Sequence, residues 1–223
     1  MDRPRILQAP VPLEAAAGLL TAALKERPRP RLGVSGGSAA AVLGLARRAL
    51  GPRWREVRLT WVDERRVPFL DPASNRGEAY RLGHLAGEDP PALELPLYLD
   101  GETGTQACLR VGAVLGAAFE GGLDVLLLGL GEDGHSASLF PGGSWPHGLV
   151  FAMEDSPKPP PGRITLGLDL LTTAPVAVLL ALGAAKAPAL RRLLRRDPAL
   201  PASVLEGLTV VTDLDLGADH GAT

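Results

Sequence analysis

The sequence predicts an α/β fold: a single domain with a mostly parallel, open, Rossmann-like sheet flanked by helices. Short β-rich apolar runs alternate with longer helical patterns, the signature of βαβ units. The runs LDVLLLG and PVAVLLAL show no apolar/polar alternation, as expected of central strands covered on both faces. Segments rich in glycine, acids and bases fall just after expected strands, where open parallel sheets bind ligands.

In chain order, the apolar spacing of LEAAAGLLTAALKE predicts a helix over 13–26, followed by a strand over 31–35. SAAAVLGLARRAL predicts a helix over 38–50, with Ser38 as its N-cap, and a strand follows over 57–62. Helices are expected over 74–85 and 103–119, then strands over 123–129, 148–153 and 176–182. A helix over 184–195 and a strand over 208–212 complete the pattern. The proline-rich stretch 156–162 is too short for a linker and reads as a surface loop with polyproline character.

A chain of 223 residues lies in the range where one domain, 1–223, buries one large core. With 46% hydrophobic and 22% charged residues it is too apolar to be disordered. A net charge of -2 gives no bulk attraction to nucleic acid or anionic lipid, so any basic site must be local. Cys108 is the sole cysteine and sits in an apolar helical pattern, which suits a small core residue in a reducing cytoplasm. Neither a signal-peptide h-region nor a membrane-length apolar run is present.

In VSGGSAAAV, Gly36 and Gly37 let backbone amides approach a phosphate, and the helix opening at Ser38 adds partial positive charge. An ordinary βα turn would use the same residues, and the Gly-Lys-Ser/Thr ending of a nucleotide P-loop is missing. GVSGG also spells a nucleophile elbow around Ser35, but that fold needs several strands before its elbow and only 34 residues precede Ser35. GLGEDG literally matches a dinucleotide fingerprint, with Glu154 and Asp155 downstream. Glu132 and Asp133 would then face a pyrophosphate, and Pro141 and Pro146 interrupt the helix such a fingerprint requires.

What the segment offers instead is Asp133 beside His135, an acid able to fix an imidazole tautomer, followed by a short helical start at SASLF. In WVDERRVP, Glu64 and Arg66 read as solvated charges, whereas Arg65 or Asp63 could point inward over the sheet. Arg163 opens a strand or turn. Lys186 sits in the first turn of a helix, the wrong end for the dipole, where an anionic ligand would explain it. His84, His135, His147 and His220 form no metal-ligand spacing.

Taken together, GVSGGSAA, WVDERRVP, SNRGEAYRL, GLGEDGHSASLFPG and PKPPPGRITL resemble the 6-phosphogluconolactonase family, in that order and over most of the chain. The resemblance implies a fold shared with glucosamine-6-phosphate deaminases, and hydrolysis of 6-phosphogluconolactone in the pentose phosphate pathway without metal or organic cofactor. It places the base on His135 and its acid on Asp133. It places the phosphate grip on Arg65, Arg163 and Lys186 beside Gly36, Gly37 and Ser38, with Asn75 as a further substrate contact. Where the deaminases carry a Glu shortly after this histidine, the chain has Phe140 before Pro141, which favours the lactonase. The partner expected is a phosphorylated sugar lactone, not nucleic acid or membrane. The alternatives are a deaminase or isomerase of the same fold, and a sugar-phosphate sensor, which would ordinarily carry a DNA-binding segment not found before residue 31.

Overall fold

The structure, a computed structural model, describes residues 3–85, 88–143 and 145–216. His220 and both ends of the expected 1–223 domain lie outside them. Seven strands form one sheet: β1 (Arg5–Gln8), β2 (Arg31–Val34), β3 (Arg58–Trp61), β5 (Leu93–Leu95), β6 (Val125–Gly129), β9 (Val176–Ala181) and β10 (Leu208–Thr212), in the order β1-β10-β9-β6-β2-β3-β5. Every pairing in it is parallel. A second, antiparallel sheet joins β4 (Asp63–Arg65), β8 (Arg163–Leu166) and β7 (Val150–Met153) in the order β4-β8-β7.

The helices are α1 (Pro12–Lys25), α2 (Ser38–Leu50), α3 (Asn75–Arg81), α4 (Gly104–Ala118), α5 (Leu168–Leu171) and α6 (Ala187–Leu194). Helices α1 and α2 pack on each other and on the central strands, while α4 lies against β7 and β8. Leu126, Leu127 and Leu128 of β6 are fully buried, which is why LDVLLLG carries no alternation: neither face of this strand meets water.

The parallel sheet is therefore as the sequence predicts, with four differences. The expected strand over 148–153 is β7, which belongs to the small antiparallel sheet. Strands β1, β4, β5 and β8 and the helix α5 are short pieces of three or four residues, too brief to show periodicity. Helix α3 stops at Arg81, well before residue 85. SASLF forms no helix: Ser136 and Leu139 bridge across a tight turn instead.

Candidate active site

Strands β2 and β6 lie side by side at the centre, and the chain proceeds from them toward opposite edges of the sheet. Such a switch point leaves a crevice beyond the carboxyl ends of the two strands. A cavity of about 300 Å³ occupies it, lined by the loop after β2, the loop after β6, β4 and the segment after β9.

Gly36, Gly37 and Ser38 form one wall. Ser38 is the first residue of α2, not its N-cap; Gly37 takes that place and no side chain caps the helix. The amides of the first turn thus keep no side-chain acceptor, the arrangement that suits an anion. Gly36 is required by contact: a β-carbon there would fall 2.1 Å from Asn75 Oδ1.

Asp63, Arg65 and Asn75 line the cavity from β4 and the start of α3. Asn75 Nδ2 donates to the Asp63 carbonyl at 3.0 Å, and Ser138 Oγ donates to Asp63 Oδ2 at 2.7 Å. Arg65 Nη1 donates to the Ala73 carbonyl at 2.7 Å, but its buried Nε has no partner among the described residues. A buried guanidinium N–H left unpaired is costly unless a ligand supplies the acceptor.

Glu64 and Arg66 correct the expectation of solvated charges. Glu64 is 3% exposed and accepts from the backbone N–H groups of Arg65, Asn75 and Arg76 at 2.7, 2.8 and 2.9 Å. Burial pushes its carboxyl above the usual carboxylate range, against the pull of those three N–H groups. It acts as a tertiary cap for α3, alongside Ser74, whose Oγ accepts from Gly77 N–H at 2.9 Å. Arg66 pairs with Glu154.

His135 lines the cavity, and its Nδ1 lies 2.5 Å from Asp133 Oδ1. The second Asp133 oxygen meets Lys158 Nζ at 3.2 Å. Burial pushes the Asp133 carboxyl up, but His135 and Lys158 outweigh it and hold the group at about 2. An ionised carboxylate only accepts, so Nδ1 carries the proton and a neutral imidazole leaves Nε2 free as a base. The Phe140 ring packs on the imidazole with centroids 5.0 Å apart. Gly131 makes the pair possible, since a β-carbon there would lie 2.0 Å from His135 Nδ1.

Arg163 and Lys186 complete the cationic wall. Most Arg163 donors are already engaged: Nε with Pro160 O at 2.9 Å, Nη2 with Lys158 O and Pro159 O at 3.1 and 3.2 Å, and Nη1 facing Ser138 Oγ at 3.5 Å. Lys186, at the junction of a 3-10 turn (Ala184–Lys186) and α6, has Glu132, 4.0 Å away, as its one ionic neighbour among the described residues. Every residue predicted for the site lines this cavity except Asp133, which touches it through His135.

Residues 12–212 match the family described as glucosamine-6-phosphate isomerases/6-phosphogluconolactonase. A 6-phosphogluconolactonase of Rattus norvegicus is 37% identical over 205 residues, covering 82% of this chain and 76% of that protein. The chain belongs to this family. Its fold is shared with the crystal structure of 6-phosphogluconolactonase from Thermotoga maritima, at a TM-score of 0.78 and 23% identity over 94% of this chain and 98% of the other. It is shared also with a monomeric glucosamine-6-phosphate deaminase, at a TM-score of 0.76 and 21% identity over 93% and 96% of the two chains.

Three residues around this family member's cavity escaped the sequence reading. Lys158 sits in a proline-rich loop that reads as surface, Ser138 in a stretch that reads as helix, and Glu64 among charges that read as solvated. The local sequence holds no signal for any of the three, since their partners come from distant segments.

Proposed function

We propose that the protein hydrolyses 6-phospho-D-glucono-1,5-lactone to 6-phospho-D-gluconate in the pentose phosphate pathway, in the cytoplasm and without a metal. The observation that carries this is the Asp133–His135 pair opening on a cavity with a cationic wall and an uncapped helix N-terminus. The family's other named activity, on glucosamine 6-phosphate, shares the fold, so the chemistry is argued from the site.

In this reading the phosphate is held by Arg65 and Lys186 with the Gly36, Gly37 and Ser38 loop, Arg163 framing the same wall. Asn75 and Asp63 face the sugar. A water bound against His135 gives up its proton to Nε2 as its oxygen attacks the lactone carbonyl. The tetrahedral oxyanion then collapses, the C–O bond to the ring oxygen breaks, and the imidazolium returns the proton to that oxygen. Asp133, ionised throughout, holds the ring and stabilises its charged form. No covalent intermediate is required, and the site needs only position and electrostatics.

The deciding experiment is a coupled assay on freshly generated lactone, corrected for spontaneous hydrolysis. Enzyme-dependent formation of 6-phosphogluconate supports the reading. Release of ammonia from glucosamine 6-phosphate, with no lactone turnover, would replace it by the deaminase.

A further inference from the structure

Lys158 is the one cation that reaches the Asp133–His135 pair from outside its own loop among the described residues. Its Nζ lies 3.2 Å from Asp133 Oδ2 and 3.5 Å from His135 Nδ1. Both Nζ and Nδ1–H are donors, so the two do not bond to each other; they share one carboxylate from opposite oxygens. The backbone that delivers this lysine is pinned. Lys158 N–H donates to Ser156 Oγ at 3.3 Å, and Lys158 O accepts from Ser156 Oγ and from Arg163 Nη2, each at 3.1 Å. Arg163 is itself anchored 3.6 Å from Asp63.

We propose that Lys158 is a positioning residue for the acid/base pair: it clamps Asp133 so that Oδ1 stays on His135, and its ammonium shares the carboxylate that would otherwise act on the imidazole alone. An isolated carboxylate against Nδ1 would favour the imidazolium, which is useless as a base; an ammonium on the same carboxylate offsets that attraction. The remaining charged groups around His135 are those of the cavity wall, Asp63 and Arg65 on β4, Arg163 on β8 and Lys186 with Glu132 beyond it. None of them lies within hydrogen-bond distance of the imidazole. Arg163 then acts at one remove, holding the 158–160 carbonyls that carry Lys158 into place.

The test reads the imidazole directly, by NMR titration of the full-length protein, with the His135 signal assigned by its loss in His135→Asn. In Lys158→Met the titration midpoint of His135 should rise above that of the parent, and Lys158→Arg should reverse most of that rise. This arm does not depend on the substrate, so it separates the inference from the lactonase reading on which the kinetic arm rests. In the kinetic arm, the acid limb of kcat/KM should move to higher pH in Lys158→Met. Affinity for 6-phosphogluconate should stay within about threefold of the parent. An unmoved or lowered midpoint overturns the proposal. An unmoved limb together with a tenfold loss of product affinity would make Lys158 a substrate ligand instead. A melting curve of Lys158→Met guards against misfolding; should that variant not fold, Lys158→Gln carries the same readings.

Discussion

Ser138 donates to Asp63 at 2.7 Å across 75 positions of sequence, and this bond ties the turn after His135 to the strand that carries Arg65. Arg163 lies 3.6 Å from the same Asp63 oxygen and holds three carbonyls of the 158–160 loop. The loop bearing Asp133 and His135, the cationic wall of the cavity and the loop bearing Lys158 are thereby tied to one buried carboxylate.

That connectivity separates the basic residues. Arg65→Ala and Lys186→Ala should each weaken binding of 6-phosphogluconate by about 10- to 150-fold, the loss of one charge-assisted hydrogen bond, with smaller effects on turnover. Arg163→Ala should also lower Tm, because it strips buried partners from Asp63 and from the loop. Calorimetry on the three variants checks the split; equal Tm values for all three would contradict the anchoring role of Arg163.

His135→Asn keeps a polar side chain and removes the proposed base. Turnover should fall about 10² to 10⁴-fold with little change in product affinity, and the decline of kcat/KM in acid should disappear. Spontaneous lactone hydrolysis must be subtracted first. Retention of more than about a third of turnover after that correction would send the search for a base to Asp63 or Asp133.

Gly131→Ala tests the geometry of the pair without touching either member. The new β-carbon would sit 2.0 Å from His135 Nδ1 and 2.5 Å from Asp133 Oδ1, so one of them must move. We expect kcat/KM to drop by more than about tenfold while product binding persists, measurable by isothermal titration alongside the lactone assay.

Activity should survive EDTA. Among the described residues no group of three His, Cys, Asp or Glu side chains could hold a metal ion. Restoration of a chelator-killed enzyme by zinc or magnesium would refute this.

Far from the site, Arg31 grips Asp124 through Nε and Nη2 at 2.9 and 2.8 Å, and its Nη1 caps the end of α4 at Phe119 O. Burial pushes the Asp124 carboxyl up, but Arg31 outweighs it and holds the group below the usual range. The stability this supplies is present above the unfolded value of about 3.9 and is lost as pH falls through the lower folded value. Asp124→Asn should cost about 2 kcal/mol at neutral pH, or roughly 4–8 °C in Tm, and the gap from the parent should narrow in acid. A gap that stays constant down to pH 2 would argue against the ion pair as its source.

The sequence by itself determined the parallel sheet and pointed to most of the polar residues that line the cavity. Strands β6 and β9 announce themselves by unbroken apolar runs, because a strand covered on both faces must be apolar at every position, and β2 is marked by the glycine pair and helix that follow it. Residues just beyond them, Gly36, Gly37, His135 and Lys186, inherit their place at the crevice from strand order and direction alone. Glu64, Ser138, Lys158 and the engaged state of Arg163 were decided only by the tertiary structure. Each is a polar group whose partner comes from a distant segment: Glu64 meets amides 11 and 12 residues on, and Lys158 meets a carboxylate from the loop after β6. Periodicity reports which face of an element is apolar; it carries no information on which distant donor a buried carboxylate will find. Such bonds exist because burial disfavours an unpaired charge, and burial here is set where β4, which carries Asp63 and Glu64, pairs with β8, which carries Arg163.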